Sequence, residues 1–299
     1  MKETSFLVIA GICIASVMYE LVEGWISYSL AKVYNPDFKY WQGVECAFYA
    51  AFYRVATLGS GAGVAAIYYF NERGVPYSKG TGLYTIEYML HKVSIALFAG
   101  IFFILNWGYM QKYYSQYDMT LLIGFGVTFV IAAVLLLFAC SKKFHEVLLW
   151  IVRKLNRSGK LTEQVKKLEE QCAILEDAAA TLLKRGGLIA GCILKNLLKF
   201  TFWYGIPFLI LAETGKLTLS QGLAVTSLAM MLAAVIPAPA GIGSSEFVLT
   251  MLLAKIVGTG AAGSVALLYR FATFVLPFVI GAVVVVLWRR VHRSTEKAA

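Results

Sequence analysis

The sequence predicts an all-α fold, a polytopic helical bundle in a membrane, and three observations lead to this class. Of 299 residues, 59% are hydrophobic and only 15% are charged, whereas soluble domains have about 45–50% and about 25%. The run 121–140 contains no charged residue, and about 20 apolar residues suffice to cross a hydrocarbon layer. Two glycine-rich segments, 57–63 and 237–246, interrupt the apolar sequence. Because backbone breaks at membrane depth only inside protein or beside a polar cavity, they predict broken or re-entrant helices.

Three apolar stretches, 5–26, 40–57 and 82–107, precede the uncharged run. Glu20 and Glu23 are three residues apart and share one face of the first helix. The aromatic residues that follow them favour a position at the membrane interface. A proton- or amine-binding role in a cavity is the alternative.

Polar residues of the next two stretches lie near the first glycine-rich segment or on the helix after it. Arg54 directly precedes the segment and either meets a lipid phosphate or extends to the interface from an apolar helix. Glu87 and His91 are four residues apart on one helical face, which suits a charge-assisted hydrogen bond or proton handling. The alternative for this pair is a helix end near the interface.

The segment 141–185 is the only hydrophilic block longer than a loop. Its first part predicts an amphipathic helix on the cytoplasmic leaflet, with an apolar stripe of Phe144, Leu148, Ile151 and Leu155. Its second part has a heptad-like apolar seam, formed by Leu161, Val165, Leu168, Cys172, Leu175, Ala179 and Leu182. This seam packs either against the same chain or against a second copy, which would form a homodimer.

Charge distribution predicts the orientation. Lysine and arginine residues cluster at 142–167 and again at 289–297, and such segments face the cytoplasm. The turn at 32–39 carries few cations and is expected outside. We therefore expect a multi-pass protein of the bacterial cytoplasmic membrane with both termini in the cytoplasm. The net charge of +10 arises largely from these segments and does not indicate nucleic-acid binding.

The second half of the chain begins with the apolar stretch 186–212. Lys195 and Lys199 share a face of this helix, where they either hold an anionic head group or simply lie in its cytoplasmic half, and we favour the second interpretation. Pro207 predicts a kink. We divide the chain into a transmembrane half at 1–140, cytoplasmic helices at 141–185 and a second transmembrane half at 186–299.

The sequence PAPAGIGSSE at 237–246 predicts a sharp break. Pro237 and Pro239 disfavour helix in the residues before them, and Gly241 and Gly243 permit the positive φ values of a tight reversal.

A new helix is expected to begin after this break, with Ser244 or Ser245 as its cap and Glu246 in its first turn. The unpaired amides at such a helix start favour a phosphate or carboxylate. Arg270 lies within the last apolar run, where a cation is a candidate functional residue. A purely structural pair between Glu246 and Arg270 is the alternative.

The two breaks predict an internal repeat. Gly59 and Gly61 recur as Gly241 and Gly243 at an offset of 182 residues. Each half has a span, an apolar run, a glycine-rich break, a short helix and a long span, which is the layout of transporters with paired broken helices. We therefore expect the two breaks to meet around one polar cavity.

These motifs resemble a known family. The pattern PxPxGIGxxE, followed by Tyr269-Arg270, Pro277 and Gly281, resembles the C-terminal signature of the flippase-like transmembrane family. This family includes the membrane region of lysylphosphatidylglycerol synthase/flippase and stand-alone relatives, some linked to polyprenyl or hopanoid lipids. The segment 57–63, followed by Glu72-Arg73-Gly74, resembles its TPGGxGG segment, and the resemblance implies an inward Glu87. Leu58 replaces the usual proline and Ala240 a usual glycine.

We expect an integral membrane lipid transporter, not an enzyme. Its cargo would be an anionic or amino-modified phospholipid, or a polyprenyl-phosphate-linked lipid. The sequence has no nucleotide-binding loop and no metal-ligand cluster, so no cofactor or metal is expected. The alternatives are a membrane-embedded transferase with Glu87 or Glu246 as base, and a non-transporting scaffold for envelope enzymes. The expected head-group site comprises Arg54, Thr57, Gly59, Gly61, Glu87, His91, Pro239, Gly241, Gly243, Ser244, Ser245, Glu246 and Arg270.

Overall fold

The computed structural model describes residues 5–115, 118–155, 162–236 and 238–296. Within these ranges the chain is helical and contains no strand, which confirms the all-α prediction. Four helical stretches in the described part of the chain are long and apolar enough to cross a membrane: Phe6–Ala31, Tyr77–Leu105, Pro239–Val257 and Thr259–Arg290.

The first half follows the predicted order of spans. Ser5 caps the first helix by accepting a hydrogen bond from the Leu7 amide at 3.3 Å. Gly74, at φ 81°, forms the turn before the long fourth helix. The helices are α1 (Phe6–Ala31), α2 (Tyr40–Ala56), α3 (Ala62–Glu72), α4 (Tyr77–Leu105) and α5 (Trp107–Tyr114).

The middle block contains α6 (Asp118–Cys140), α7 (Lys142–Leu155) and α8 (Thr162–Leu182). The seam of α8 packs against α4 of the same chain, with Val165, Cys172, Leu175, Ala178 and Leu182 buried. Ala178 takes the place predicted for Ala179, because a straight α-helix drifts away from a strict heptad repeat. Leu161 lies outside the described residues.

The second half contains α9 to α14. A break at Gly205 separates α9 from α10, and Pro207 lies in the first turn of α10, as predicted. A π-helical turn at Phe271–Val275 joins α13 to α14. The helices are α9 (Gly186–Tyr204), α10 (Ile206–Leu211), α11 (Leu219–Ala233), α12 (Ser244–Val257), α13 (Thr259–Arg270) and α14 (Leu276–Glu296).

The pairs α2–α3 and α11–α12 form helical hairpins that enter the bundle from opposite ends. The open end of α2–α3 lies beside the turn after α1, where Asn35 Nδ2 donates to the Arg73 carbonyl at 2.8 Å. The open end of α11–α12 lies beside the end of α4, where Asn106 Nδ2 donates to Ser220 Oγ at 2.8 Å. Tyr114 Oη of α5 also donates there, to the Leu252 carbonyl at 3.0 Å.

Helix packing between the two halves is reciprocal. The long helix α4 packs against α11 of the second half, and α14 packs against α2 of the first. The opening helices of the halves, α1 and α9, pack against each other. This reciprocity is expected of two repeats related by a pseudo-two-fold axis, and the opposite entry of the hairpins is expected of an inverted repeat.

The turn 32–39 lies at the same end of the bundle as α8, whereas the sequence interpretation placed the turn outside and α8 in the cytoplasm. Asn35 bonds to Arg73, and Lys79 bridges Tyr34, 5.8 Å from its ring, and Asp177 of α8.

The described ends of the first and last helices, Phe6 and Glu296, lie at opposite ends of the bundle, which does not fit the expectation that both termini share one side. α1 ends beside α8, so its first residue, Phe6, lies at the opposite end of the bundle, where Gly11 approaches Leu209 of α10. α14 ends on the side of α8, since Trp288 packs on Tyr69.

Candidate functional site

The tips of the two hairpins lie next to each other. The first tip has positive φ at Leu58 (51°) and Gly59 (101°), and the second at Ala240 (52°) and Gly241 (67°). A methyl group at Gly59 would lie 3.4 Å from the Ala240 amide nitrogen. The expectation that the two breaks face one another therefore agrees with the geometry.

Local hydrogen bonds close the first tip. The Gly59 amide donates to the Arg54 carbonyl at 2.7 Å, and the Gly61 amide donates to Thr57 Oγ1 at 2.6 Å. Thr57 Oγ1 also donates to the Tyr53 carbonyl at 2.6 Å. Thr57 and Gly61 lie away from the meeting point, in a groove of α2, α3 and α14 that Arg289 also lines.

The second tip is capped differently from the prediction. Gly243, at φ 85°, is the cap residue of α12, and its amide donates to Glu246 Oε2 at 2.9 Å. The hydroxyls of Ser244 and Ser245 instead donate to the Gly241 carbonyl, at 3.3 and 2.9 Å. A carboxylate three residues on reaches back to the cap amide, as in a capping box, which leaves the serines to close the reversal.

Arg270 braces this second tip. Its Nη2 donates to the Ala240 carbonyl at 3.1 Å, its Nε lies 3.1 Å from Glu246 Oε1, and its guanidinium lies 3.7 Å from the centre of the Phe274 ring. The alternative of an ion pair between Glu246 and Arg270 is therefore present in the structure. Pro239 begins the short turn Pro239–Gly241, and Pro237 lies outside the described residues.

Arg54 has looser partners than Arg270. Its Nη2 lies 3.7 Å from Glu20 Oε1, beyond hydrogen-bond distance, and its guanidinium carbon lies 5.9 Å from the Trp203 ring. The Arg54 side chain is 36% exposed, against 17% for Arg270. Arg54 is therefore the more available cation for an anionic ligand.

A cavity of about 510 Å³ lies at the meeting point of the tips, within the range of about 300–1,000 Å³ typical of ligand sites. Both arginines line it, together with aromatic side chains of α1 and α9. The sequence-predicted residues that it brings together are Arg54, Gly59, His91, Gly241, Ser244, Ser245 and Arg270.

A second cavity of about 200 Å³ lies beside the first, between α1, α2, α3 and α4. Arg54, Gly59 and His91 line both cavities. Glu87 lines the smaller one, where it accepts a hydrogen bond from Ser27 Oγ at 2.6 Å. The predicted inward orientation of Glu87 agrees with this position.

Glu20 and Glu23 also line the smaller cavity, so the favoured interfacial position is wrong. Glu23 binds the Lys199 ammonium, and Lys199 Nζ lies 3.0 Å from His91 Nδ1. His91 therefore pairs with Lys199, and no bond joins it to Glu87 in this part of the structure. The α1 face turns inward because it packs against α9, where Lys199 needs a carboxylate.

Lys199 is the main residue that the sequence interpretation undervalued. Its side chain is 1% exposed, and it lies within an apolar run. A buried ammonium requires a partner, so the signal was available, but sequence spacing does not identify a partner 176 residues away.

These features define the class: a polytopic helical membrane protein in which two hairpins from opposite ends meet beside a cavity lined by charged residues. The chain belongs to the family of the lysylphosphatidylglycerol synthase TM region, whose family model matches residues 2–281. The resemblance seen in the sequence motifs is thereby confirmed. Comparisons with curated proteins and with solved structures gave no match.

Proposed function

We propose that this chain is a flippase-like transporter that moves a lipid head group between leaflets and does not modify it. The observation that carries the proposal is the meeting of two opposed hairpin tips at a cavity lined by Arg54 and Arg270. In inverted-repeat transporters, one broken helix pair opens the binding site to one side of the membrane and its counterpart opens it to the other. The two opposed hairpins would act in this way on the same cavity.

An anionic head group fits this cavity better than a neutral one. Moving a bare charge through hydrocarbon is very costly, whereas a cavity with a cation replaces part of its hydration. Arg54 supplies the available cation, whereas the Glu246 carboxylate already occupies the cap amide at the start of α12. In this proposal the acyl chains remain in the bilayer.

The orientation that fits the basic residues places α7, α8 and the end of α14 in the cytoplasm. The α2–α3 hairpin then enters from the cytoplasm and α11–α12 from the outside. The basic face of α7 would lie on the anionic inner leaflet.

Reconstitution tests the proposal. Vesicles containing the purified chain and an acyl-labelled fluorescent phosphatidylglycerol are treated with an impermeant quencher. Transport predicts that nearly all label becomes accessible, against about half in protein-free vesicles. Arg54→Gln is expected to slow this movement, and Lys216→Gln, in an exposed turn, serves as the charge-matched control. Movement that equals the protein-free control would contradict the proposal, and a new lipid product would favour a transferase.

A further inference from the structure

Arg54 is shared between two environments. It lines the large cavity at the hairpin tips and the smaller cavity beside it. Its ion-pair partner there is Glu20, at 3.7 Å. An anion in the large cavity therefore competes with Glu20 for the same guanidinium.

Glu20 is poorly satisfied even with Arg54 nearby. Its side chain is 3% exposed, and Oε1 is buried with no hydrogen-bond partner among the described residues. A buried carboxylate oxygen that faces a cavity without a donor is costly as an anion. It is well placed to take a proton.

The other carboxylates of the smaller cavity each accept a hydrogen bond. Glu23 binds the Lys199 ammonium, and Glu87 accepts from Ser27 at 2.6 Å. If Arg54 turns toward an anion, Glu20 is the carboxylate that loses its cation. The charged and titratable groups around it are Tyr19 and Glu23 of α1, Cys46 and Arg54 of α2, Tyr84, Glu87, Tyr88 and His91 of α4, and Lys199 of α9.

His91 does not replace the lost cation. Lys199 Nζ lies 3.0 Å from His91 Nδ1, so an ammonium at Lys199 requires Nδ1 to be the acceptor of a neutral ring. A positive charge on His91 would face Lys199 directly. Three carboxylates would then share one cation, Lys199, and protonation is the least costly compensation.

Resting on the proposed function, we propose that Glu20 is a proton-binding site linked to anion binding at Arg54, so that a proton accompanies each anionic head group. The proton comes from water on the loading side and leaves when the anion departs and Arg54 returns to Glu20. Linkage is reciprocal: the anion favours the proton on Glu20, and lower pH favours anion binding.

Electrical behaviour provides the decisive test. A singly charged phosphatidylglycerol that moves with a proton carries no net charge. Its movement should then respond to a pH gradient and not to a membrane potential. One pH unit corresponds to about a tenfold change in the leaflet ratio at equilibrium.

We would use phosphatidylcholine vesicles with a minor fraction of fluorescent phosphatidylglycerol, and impose either a pH gradient or a potassium diffusion potential. Wild type should follow the pH gradient alone. Glu20→Gln cannot take the proton, so its remaining movement should follow the potential and lose the pH response. Glu45→Gln, on α2 like Arg54 but paired with Arg73 at 3.0 Å, should behave as wild type.

Proton uptake provides a readout that does not depend on transport. Short-chain phosphatidylglycerol is added to the detergent-purified chain in weak buffer, and a pH-indicator dye reports uptake of about one proton per bound lipid in wild type. Glu20→Gln should bind without uptake. Lipid movement without any pH response, or uptake unchanged in Glu20→Gln, would overturn the coupling and leave the proposed function intact. Absence of both binding and movement would overturn both.

Discussion

Two arginines at the meeting point of the hairpins have different surroundings. We infer from this difference that Arg270 stabilises the fold and that Arg54 is available for a ligand. Arg270 contacts a carbonyl, a carboxylate and an aromatic ring of its own half. Arg54 has one carboxylate partner, at 3.7 Å. The sequence suggested that either could meet a phosphate, because both are cations in apolar runs. The structure distinguishes them by how many of their donors are already engaged.

Arg270→Ala should therefore lower stability more than Arg54→Ala. It leaves the Glu246 carboxylate without its cation and the Ala240 carbonyl without a donor, which we expect to cost about 2–4 kcal/mol. Thermal unfolding of the purified variants measures this difference. In a Glu246→Gln background Arg270→Ala should cost less, because no charge is left unpaired. If the losses in unfolding free energy of the two single variants simply add in the double variant, the stabilising role of the Arg270–Glu246 pair is contradicted.

At the scale of elements, packing between α4 and α8 depends on one glycine. A methyl group at Gly82 would lie 2.4 Å from Ala178 Cβ, closer than two carbons can approach. The ion pair of Lys79 with Asp177 lies on the same two helices. α8 therefore packs against the first transmembrane half through close backbone approach as well as through its apolar seam.

Gly82→Val should displace α8. Gly100→Val is the matched control, because a Cβ added at Gly100 of the same helix would have no atom of another element within 4 Å. Both add the same β-branched side chain to α4, so the difference isolates the contact with Ala178. Hydrogen exchange of residues 162–182 should rise at least about tenfold in Gly82→Val. Ala178→Gly should restore protection. Equal exchange in the two valine variants would show that α8 does not depend on this contact.

The elements were more predictable than their partners. Proline and glycine marked both breaks and the kink at Pro207, because these residues act on the backbone locally. The end from which each hairpin enters depends on contacts such as Asn35 with Arg73 and Asn106 with Ser220. Neither contact produces a periodic pattern in the sequence from which it could be predicted. The inward face of Glu20 and Glu23 was missed for the same reason, since α9 determines it.

For the whole molecule, the opposed hairpins explain why Gly59 and Ala240 approach each other although they belong to different halves. Each tip is held by its own half, with Thr57 closing one and Arg270 bracing the other. The two tips therefore approach each other closely without a covalent link. In the proposed function, a head group passes only when this contact opens.

A disulfide between the tips should arrest transport. A Cβ built on Gly59 lies 3.8 Å from Ala240 Cβ, which matches the mean separation of about 3.8 Å in disulfides. In the double variant Gly59→Cys/Ala240→Cys, oxidation should link the two halves. Tryptic cleavage at the exposed Lys184 and Arg185 then yields fragments that separate on a gel only after reduction. Lipid movement should stop on oxidation and return with reductant, while each single variant is insensitive to both. Continued movement in the fully cross-linked protein would mean that lipid passes without separation of the tips.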